Sequence, residues 1–233
     1  MILPVLMESR YIQSIPGSLD ARVIRPDSHA FPVGARKEVA LLTLETERLI
    51  LRRWRIDDLG PAAAINADPE VMAWIGAGPM TVRDSGEYLT RNDAGFDTHG
   101  FGIWAVERKE DRTLIGFSGL RRFERPRHPL GSCIEAAWRF AREAWGQGYA
   151  TEAARAAFLD GFNRCGIATI MSWAPEGNVR SQGVMQRIGM TRRPDRDFDA
   201  PGVAQGHRLR RHVVFAADRA TWPAPSVNRT AEA

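Results

Sequence analysis

The sequence predicts an α/β fold, a single mixed β-sheet with helices packed against it. Three observations carry this. Short apolar or alternating runs ("FGIWAVER", "TLIGFSGLRRF", "CIEAAWRF", "IATIMSW") recur between stretches with helical periodicity. The succession strand, glycine turn, helix, strand from Cys133 to Trp173 has the form of a βαβ crossover, which sets its two strands parallel. "FGIWAVER" and "TLIGFSGLRRF" are separated only by the polar turn "KEDR", a hairpin that adds antiparallel pairing.

The elements follow in order. Residues 1–41 mix Pro, Gly, Ser and charge without a sustained period and read as an extension with little regular structure. "LETERLILRRW" (Leu44 to Trp54) alternates as a half-buried strand, and "IDDLGPAAAINADPEVMAWIG" opens on acidic residues that suit a helix start. The hairpin comes next, then the strand "CIEAAWRF", which feeds the glycine turn. "TEAARAAFLDGFNRCG" is an amphipathic helix with Ala154, Ala157, Phe158, Phe162 and Cys165 on one face and Gly166 ending it. "IATIMSW" is an apolar strand, "NVRSQGVMQRIGM" a helix opened by Asn178 and closed near Gly189, and "HRLRRHVVFAADR" the last strand. One domain over residues 42–218 results, with a tail at 219–233.

Composition narrows the partners. At 233 residues, 44% hydrophobic and 26% charged, the chain suits one soluble domain. Net charge is +4 and no run reaches five or six like charges, so mild attraction to an anionic ligand is expected and nucleic-acid binding is not. Only Lys37 and Lys109 among 32 basic residues are lysine, a bias that reads as coding background rather than a designed nucleic-acid surface. Cys133 and Cys165 have no metal or disulfide spacing, and the histidines at 99, 128, 207 and 212 form no ligand set, so no metal is expected. The opening "MILPVLMESR" makes a poor signal peptide and no uncharged run is long enough to span a bilayer; a cytoplasmic protein without a membrane partner is the simplest expectation.

The stretch "AWGQGYATEA" (Ala144 to Ala153) places two glycines two residues apart and turns at once into helix. Backbone N–H groups at a helix start are unpaired and the helix dipole favours negative charge, so a phosphate can dock where side chains are absent. A flexible surface turn is the bland alternative. A P-loop is rejected because no lysine follows the glycines, and the dinucleotide pattern fails because Thr151 stands at its third glycine position late in the chain.

"W-G-Q-G-Y-A" resembles the Gln/Arg-x-x-Gly-x-Gly/Ala acyl-CoA loop of the GNAT superfamily of N-acetyltransferases, with Trp145 in place of the usual Gln or Arg. "TERLILRRW", "DPEVMAWIG", "GFGIWAV", "LIGFSGL", "IEAAWRF" with "REAWGQGYATEA", and "EGNVRSQGVMQRIGM" also follow the order of the ribosomal-protein N-terminal acetyltransferase (RimJ/RimL-like) branch. There an aromatic at the position of Trp145 is common, and "DFDAPGVAQGHRLRRHVVF" looks like the branch's final hairpin. The resemblance covers roughly Leu42 to Asp218.

It implies a GNAT-type fold, a mixed and mostly antiparallel sheet with helices on both faces. It implies acetyl transfer from acetyl-CoA to an amine, a protein N-terminus or a small molecule, through a direct ternary complex, by a monomer or homodimer. The pyrophosphate of CoA would meet the backbone of Gly146, Gln147, Gly148, Tyr149, Ala150 and Thr151, although Thr151 equally suits a helix cap. The backbones of Trp138 and Phe140 would pair with the pantetheine arm, while their side chains read as core. Asn178 would contact pantetheine and Ser181 would lie near the thioester sulfur; their bland reading is a helix start. Alternation puts Glu135 on the face of Ala137 and Arg139, opposite Ile134, Ala136 and Trp138. The resemblance gives Glu135 the part of base, against a surface carboxylate paired with arginine. Met185 stands where many GNAT enzymes carry a tyrosine acid, a departure that leaves Ser181, water or no acid. A catalytically silent acyl-CoA-binding module is the alternative function.

Overall fold

The computed structural model describes residues 43–125 and 127–223. The extension assigned to residues 1–41 and most of the tail lie outside them.

The run read as one strand from Leu44 is two, β1 (Thr43–Glu45) and β2 (Leu49–Arg52), folded back on each other. The break falls at Thr46, whose hydroxyl accepts the Leu49 N–H at 3.0 Å and donates to Glu152 at 2.6 Å. A local side-chain turn outcompetes continued extension there. Helix α1 (Leu59–Ala67) stops well short of Gly76, since Pro69 disfavours helical backbone at Asp68, whose carboxylate instead accepts the Glu70 N–H. Helix α2 (Val82–His99) was not anticipated. Thr81 and Asp84 cap its start reciprocally, and Gly100 ends it in the left-handed region.

The remaining elements are β3 (Ile103–Arg108), β4 (Leu114–Phe123), β5 (Cys133–Phe140), α3 (Tyr149–Asn163), β6 (Thr169–Pro175), α4 (Val179–Arg187), β7 (Thr191–Arg192), β8 (Phe198–Asp199) and β9 (Arg211–Asp218). They form one sheet in the order β1-β2-β3-β4-β5-β6-β9-β7, with β8 on β9. Every pairing is antiparallel except β5 with β6.

Helices α3 and α4 cover one face, where Phe158, Met185 and Ile188 pack on Ile170 and Phe215. Each such buried side chain contributes about 1.5–3 kcal/mol. Helices α1 and α2 cover the other face through Ala62 and Leu89, which pack with Ala105 and Leu114, while Tyr88 sits against Phe117. The core does not end at Asp218. Trp222 packs on Phe158 and Phe162 with centroids 5.8 and 5.2 Å away, and its indole N–H donates to the Ile188 carbonyl at 2.7 Å.

Candidate active site

The two parallel strands diverge. β5 and β6 hold register at one pair, Glu135 with Met171, and just beyond it the Ser172 hydroxyl donates to the Ala136 carbonyl at 3.0 Å. From Ala137 to Phe140, β5 is paired only with β4, while β6 is held along its whole length by β9. A wedge therefore opens toward the C-terminal ends of the parallel strands, the place where open α/β sheets take ligands. β5 leads from it into the glycine turn and β6 into α4.

Both glycines of the turn adopt left-handed backbone, with φ 76° at Gly146 and 83° at Gly148, and a Cβ at Gly146 would meet nothing within 4 Å. Gly148 is the N-cap and α3 begins at Tyr149. Thr151 is thus the third helical residue, which corrects its reading as a cap. Its hydroxyl lies 3.4 Å from Arg187 Nε. Among the described residues the six consecutive backbone N–H groups from Gly146 to Thr151 donate to no protein acceptor; the first helical bond is made by Glu152 to Gly148. Such a row of donors, at the positive end of a helix dipole, is a cradle for an anion. Tyr149 is buried beneath the Arg48 guanidinium, 4.6 Å from its centroid, and Arg48 also donates to the Gln147 carbonyl at 3.0 Å and to Glu152. Ala150 packs partly into the core, and the Gln147 amide is turned back onto the Glu143 carbonyl.

Trp138 is half-buried and Phe140 buried, both on the α3 face, so their side chains pack and only their backbone borders the wedge. Glu135 shares the opposite face with Arg139, which reaches Asn66 of α1 and lies over the Tyr88 ring. Glu135 itself is 7% exposed and accepts from Arg121 Nε at 2.6 Å through Oε2. Cys133 lies beside it, its thiol pushed up to about 11 by burial and then by the Glu135 carboxylate, so it stays protonated at neutral pH.

Across the wedge, Asn178 caps α4, its side-chain oxygen accepting the Ser181 N–H at 3.3 Å. Among the described residues the Ser181 hydroxyl has no protein partner. Met185, one turn on, is wholly buried among Phe158, Ile188 and Val213. It points into the core and supplies no proton.

Sequence reasoning missed two arginines. Arg48 lies in the turn between two strands that were read as one, so nothing marked it as a neighbour of Gly148. Arg180, in the first turn of α4, places its guanidinium 4.6 Å from the ring centroid of Trp145, whose indole N–H donates to the Phe140 carbonyl at 2.9 Å. The pair joins the two strand ends across the mouth of the wedge.

Comparison with known proteins places this geometry. A family model described as an acetyltransferase (GNAT) domain matches residues 48–191. The uncharacterised protein YkkB of Bacillus subtilis (strain 168) is 31% identical over 125 residues, covering 53% of this chain and 69% of that protein. FsC-acetyl coenzyme A-N(2)-transacetylase of Aspergillus fumigatus is 26% identical over 200 residues, covering 81% and 82%. Among solved structures, a GNAT-family acetyltransferase from Bacillus anthracis matches with a TM-score of 0.64 at 22% identity, over 77% of this chain and 99% of that one. Ribosomal-protein-S5-alanine acetyltransferase from Vibrio fischeri matches with a TM-score of 0.61 at 15% identity, over 78% and 99%. At these identities the structural likenesses speak for the fold. The family model spans more than half of the sequence, and the chain belongs to the GNAT acetyltransferases, as an N-acetyltransferase that uses acetyl-CoA.

Proposed function

We propose that the protein transfers the acetyl group to a primary amine by direct attack in a ternary complex, with the wedge as the cofactor's seat and the Glu135 face as the acceptor's. The observation that carries this is the divergence of β5 and β6, with β5 leading on into a row of six undonated N–H groups. The backbone of Gly146 to Thr151 fits a pyrophosphate, and the β5 backbone from Trp138 to Phe140 fits an extended amide-bearing arm. Acetyl-CoA supplies an activated thioester.

The chain's residues then handle protons and orientation. A free α-amine has a pKa near about 8 and a lysine above about 10, so the acceptor arrives largely protonated and must lose a proton. Glu135 Oε1 has no partner among the described residues and is the atom that accepts it, directly or through water. The Ser181 hydroxyl is free to donate a hydrogen bond to the departing thiolate, and Asn178, by accepting the Ser181 N–H, fixes the turn of α4 that carries it. The order of the six motifs supports the RimJ/RimL-like branch, whose characteristic acceptors are protein N-termini.

Thiol release from acetyl-CoA, followed across peptides with varied first residues and small polyamines, tests this. Acetylated amine and free thiol should appear in equal amounts. The burial of Met185 favours one other reading, a silent acyl-CoA-binding module. Calorimetric binding of acetyl-CoA with no thiol release from any amine would assign that instead.

A further inference from the structure

A cleft of about 400 Å³ opens beside the turn that joins β6 to α4, bordered by Trp74, Glu176, Gly177, Arg208, Arg210 and Arg211. Gly177 directly precedes Asn178, and its backbone does not need glycine, since its φ is not in the left-handed region. Space does. A Cβ there would sit 2.7 Å from Cη2 of Trp74, so the indole is pressed against the turn that carries Asn178. The Arg208 guanidinium lies 5.3 Å from the centroid of the same ring. Trp74 is therefore in contact both with the turn that leads into Asn178 and with Arg208.

The charges in the cleft divide unequally. Arg210 pairs with Asp199 at 3.0 Å, and Arg211 lies 3.5 Å from both Asp197 and Asp199, while Asp197 is held mainly by Arg192, so these arginines share two carboxylates and are partly neutralised. Among the described residues Arg208 has the Trp74 ring and no carboxylate, and the Glu176 carboxylate has no cation. Glu176 is two residues from Asn178, whereas Arg208 stacks on the indole. The cleft thus carries one anion and one cation that no counter-ion among the described residues neutralises.

We propose that this cleft selects amine acceptors that also carry a carboxylate, held as a dipolar ion with the ammonium toward Glu176 and the carboxylate on Arg208. The inference rests on the acetyl-transfer reading and names the acceptor class for it. Glu176, just past the end of β6, draws the ammonium group in on entry; the proton is given up only at Glu135, farther back along the strand pair. A guanidinium backed by an aromatic face is held in place, and its planar fork matches a carboxylate. A polyamine satisfies Glu176 and is repelled by Arg208; a neutral amine gains at neither end.

The test is calorimetry in the presence of saturating CoA, comparing 6-aminohexanoate with its amide, which differ by one charge. A second arm compares a short peptide with aspartate at its second residue against the asparagine version, and separates a peptide source of the carboxylate from a free one. In at least one arm the carboxylate form should bind on the order of tenfold more tightly, as one charge-assisted pair at a partly exposed site implies. Arg208→Glu, at an exposed position, should abolish or invert that preference without changing the melting temperature. Glu176→Gln should weaken the amine end of both partners equally. Equal affinities in both arms, no binding in either, or a preference untouched by Arg208→Glu overturns the proposal. Thiol release separates it from acetyl transfer. Selective binding without turnover defeats the transfer reading alone, and turnover of polyamines as readily as amino carboxylates defeats the cleft alone.

Discussion

Arg121 Nε donates to Glu135 Oε2 at 2.6 Å across the antiparallel pair of β4 and β5. The arginine side chain is 38% exposed and the glutamate's 9%, so the cation reaches inward to hold a nearly buried carboxylate. One oxygen is committed and its orientation fixed. The other has no hydrogen-bond partner among the described residues, and lies on the one residue pair at which β5 and β6 hold register. Pairing with arginine is thus compatible with the proposed base, for which Arg121 would be the positioning residue.

If Glu135 takes the amine proton, Glu135→Gln should lower kcat by about 10²–10⁴-fold near neutral pH. Acetyl-CoA affinity should hardly change, because the N–H cradle lies at the far end of the wedge. Raising the pH should rescue the variant, as more acceptor becomes neutral unaided. Arg121→Gln should lower kcat less and alter the pH–rate profile, which a purely structural arginine would not. Full activity of Glu135→Gln at pH 7 removes the base assignment.

Gly148 tests the cradle. Gly148→Ala carries the strain of a Cβ at φ 83°, about 1–2 kcal/mol, and sets that Cβ 3.4 Å from the Arg48 guanidinium, whereas Gly148→Asp also adds a negative charge beside six N–H donors. The alanine variant should lose stability and a little affinity. The aspartate variant should bind acetyl-CoA at least about tenfold more weakly than the alanine variant. Equal calorimetric affinities for the two would move the pyrophosphate elsewhere.

Arg180 spans from α4 to Trp145 across the wedge mouth. An exposed cation–π contact is worth only about 0.5–1 kcal/mol, so Arg180→Ala should leave the melting temperature nearly unchanged. If the pair helps close the mouth over the cofactor, acetyl-CoA should dissociate severalfold faster in stopped-flow measurements. An unchanged dissociation rate would reduce Arg180 to surface packing.

Where the sequence spoke clearly, one face of an element was apolar and the other was not. The crossover from β5 through α3 to β6 was legible because the α3 positions 154, 157, 158 and 162 are all apolar and all buried. The face of Glu135 followed from alternation, and the capping by Asn178 from its residue type. Helix α2 was illegible because two of its four buried positions, Ser85 and Asn92, are polar; Asn92 is satisfied by the Tyr88 carbonyl and Ser85 by the Asn66 amide. Trp222 looked like tail because its partners Phe158, Phe162 and Ile188 lie far off in sequence and no period surrounds it. The wedge itself could be expected only by resemblance, since residue pattern does not encode where two strands part.

Trp222 gives a sharper boundary. Its indole closes the core over α3 and ties the end of α4 through Ile188. A chain ended at residue 218 loses both, while one ended at 223 retains them. Trp222→Ala should cost about 2 kcal/mol, below the range for a fully buried tryptophan because this one is half-buried. The 1–218 chain should melt at least as early as that variant and, if Asn178 and Ser181 of α4 meet the cofactor as proposed, bind acetyl-CoA more weakly. Equal melting temperatures for the 1–218 and 1–223 chains would show that the tryptophan contact contributes nothing.

His128 and His212 both pack on Phe198, His128 edge-on at 4.7 Å and His212 stacked at 4.9 Å. The Leu130 N–H donates to His128 Nδ1, and His212 Nδ1 faces the Arg210 carbonyl, so neutral imidazoles satisfy both contacts. Burial holds both histidines below the ordinary value of 6.5, with Arg125 adding to the effect on His128 and the Arg210 contact opposing it on His212. The sign follows from proton uptake. Below about pH 6.5 the unfolded chain takes protons that the folded histidines refuse, so stability is lost as pH falls through that value and on down to the folded pKa values; well above it the two contribute no pH dependence. Melting temperature should therefore fall between pH 7.5 and 5.5. Replacing both by phenylalanine keeps the aromatic packing but sacrifices the bonds to Leu130 and Arg210, which costs about 1 kcal/mol apiece at every pH, so the informative quantity is the slope and not the absolute stability. The double variant should lose less stability than the parent between the two pH values. An identical slope would mean that the histidines titrate alike in the folded and unfolded chains, and that burial around Phe198 is looser than the packing of these three rings implies.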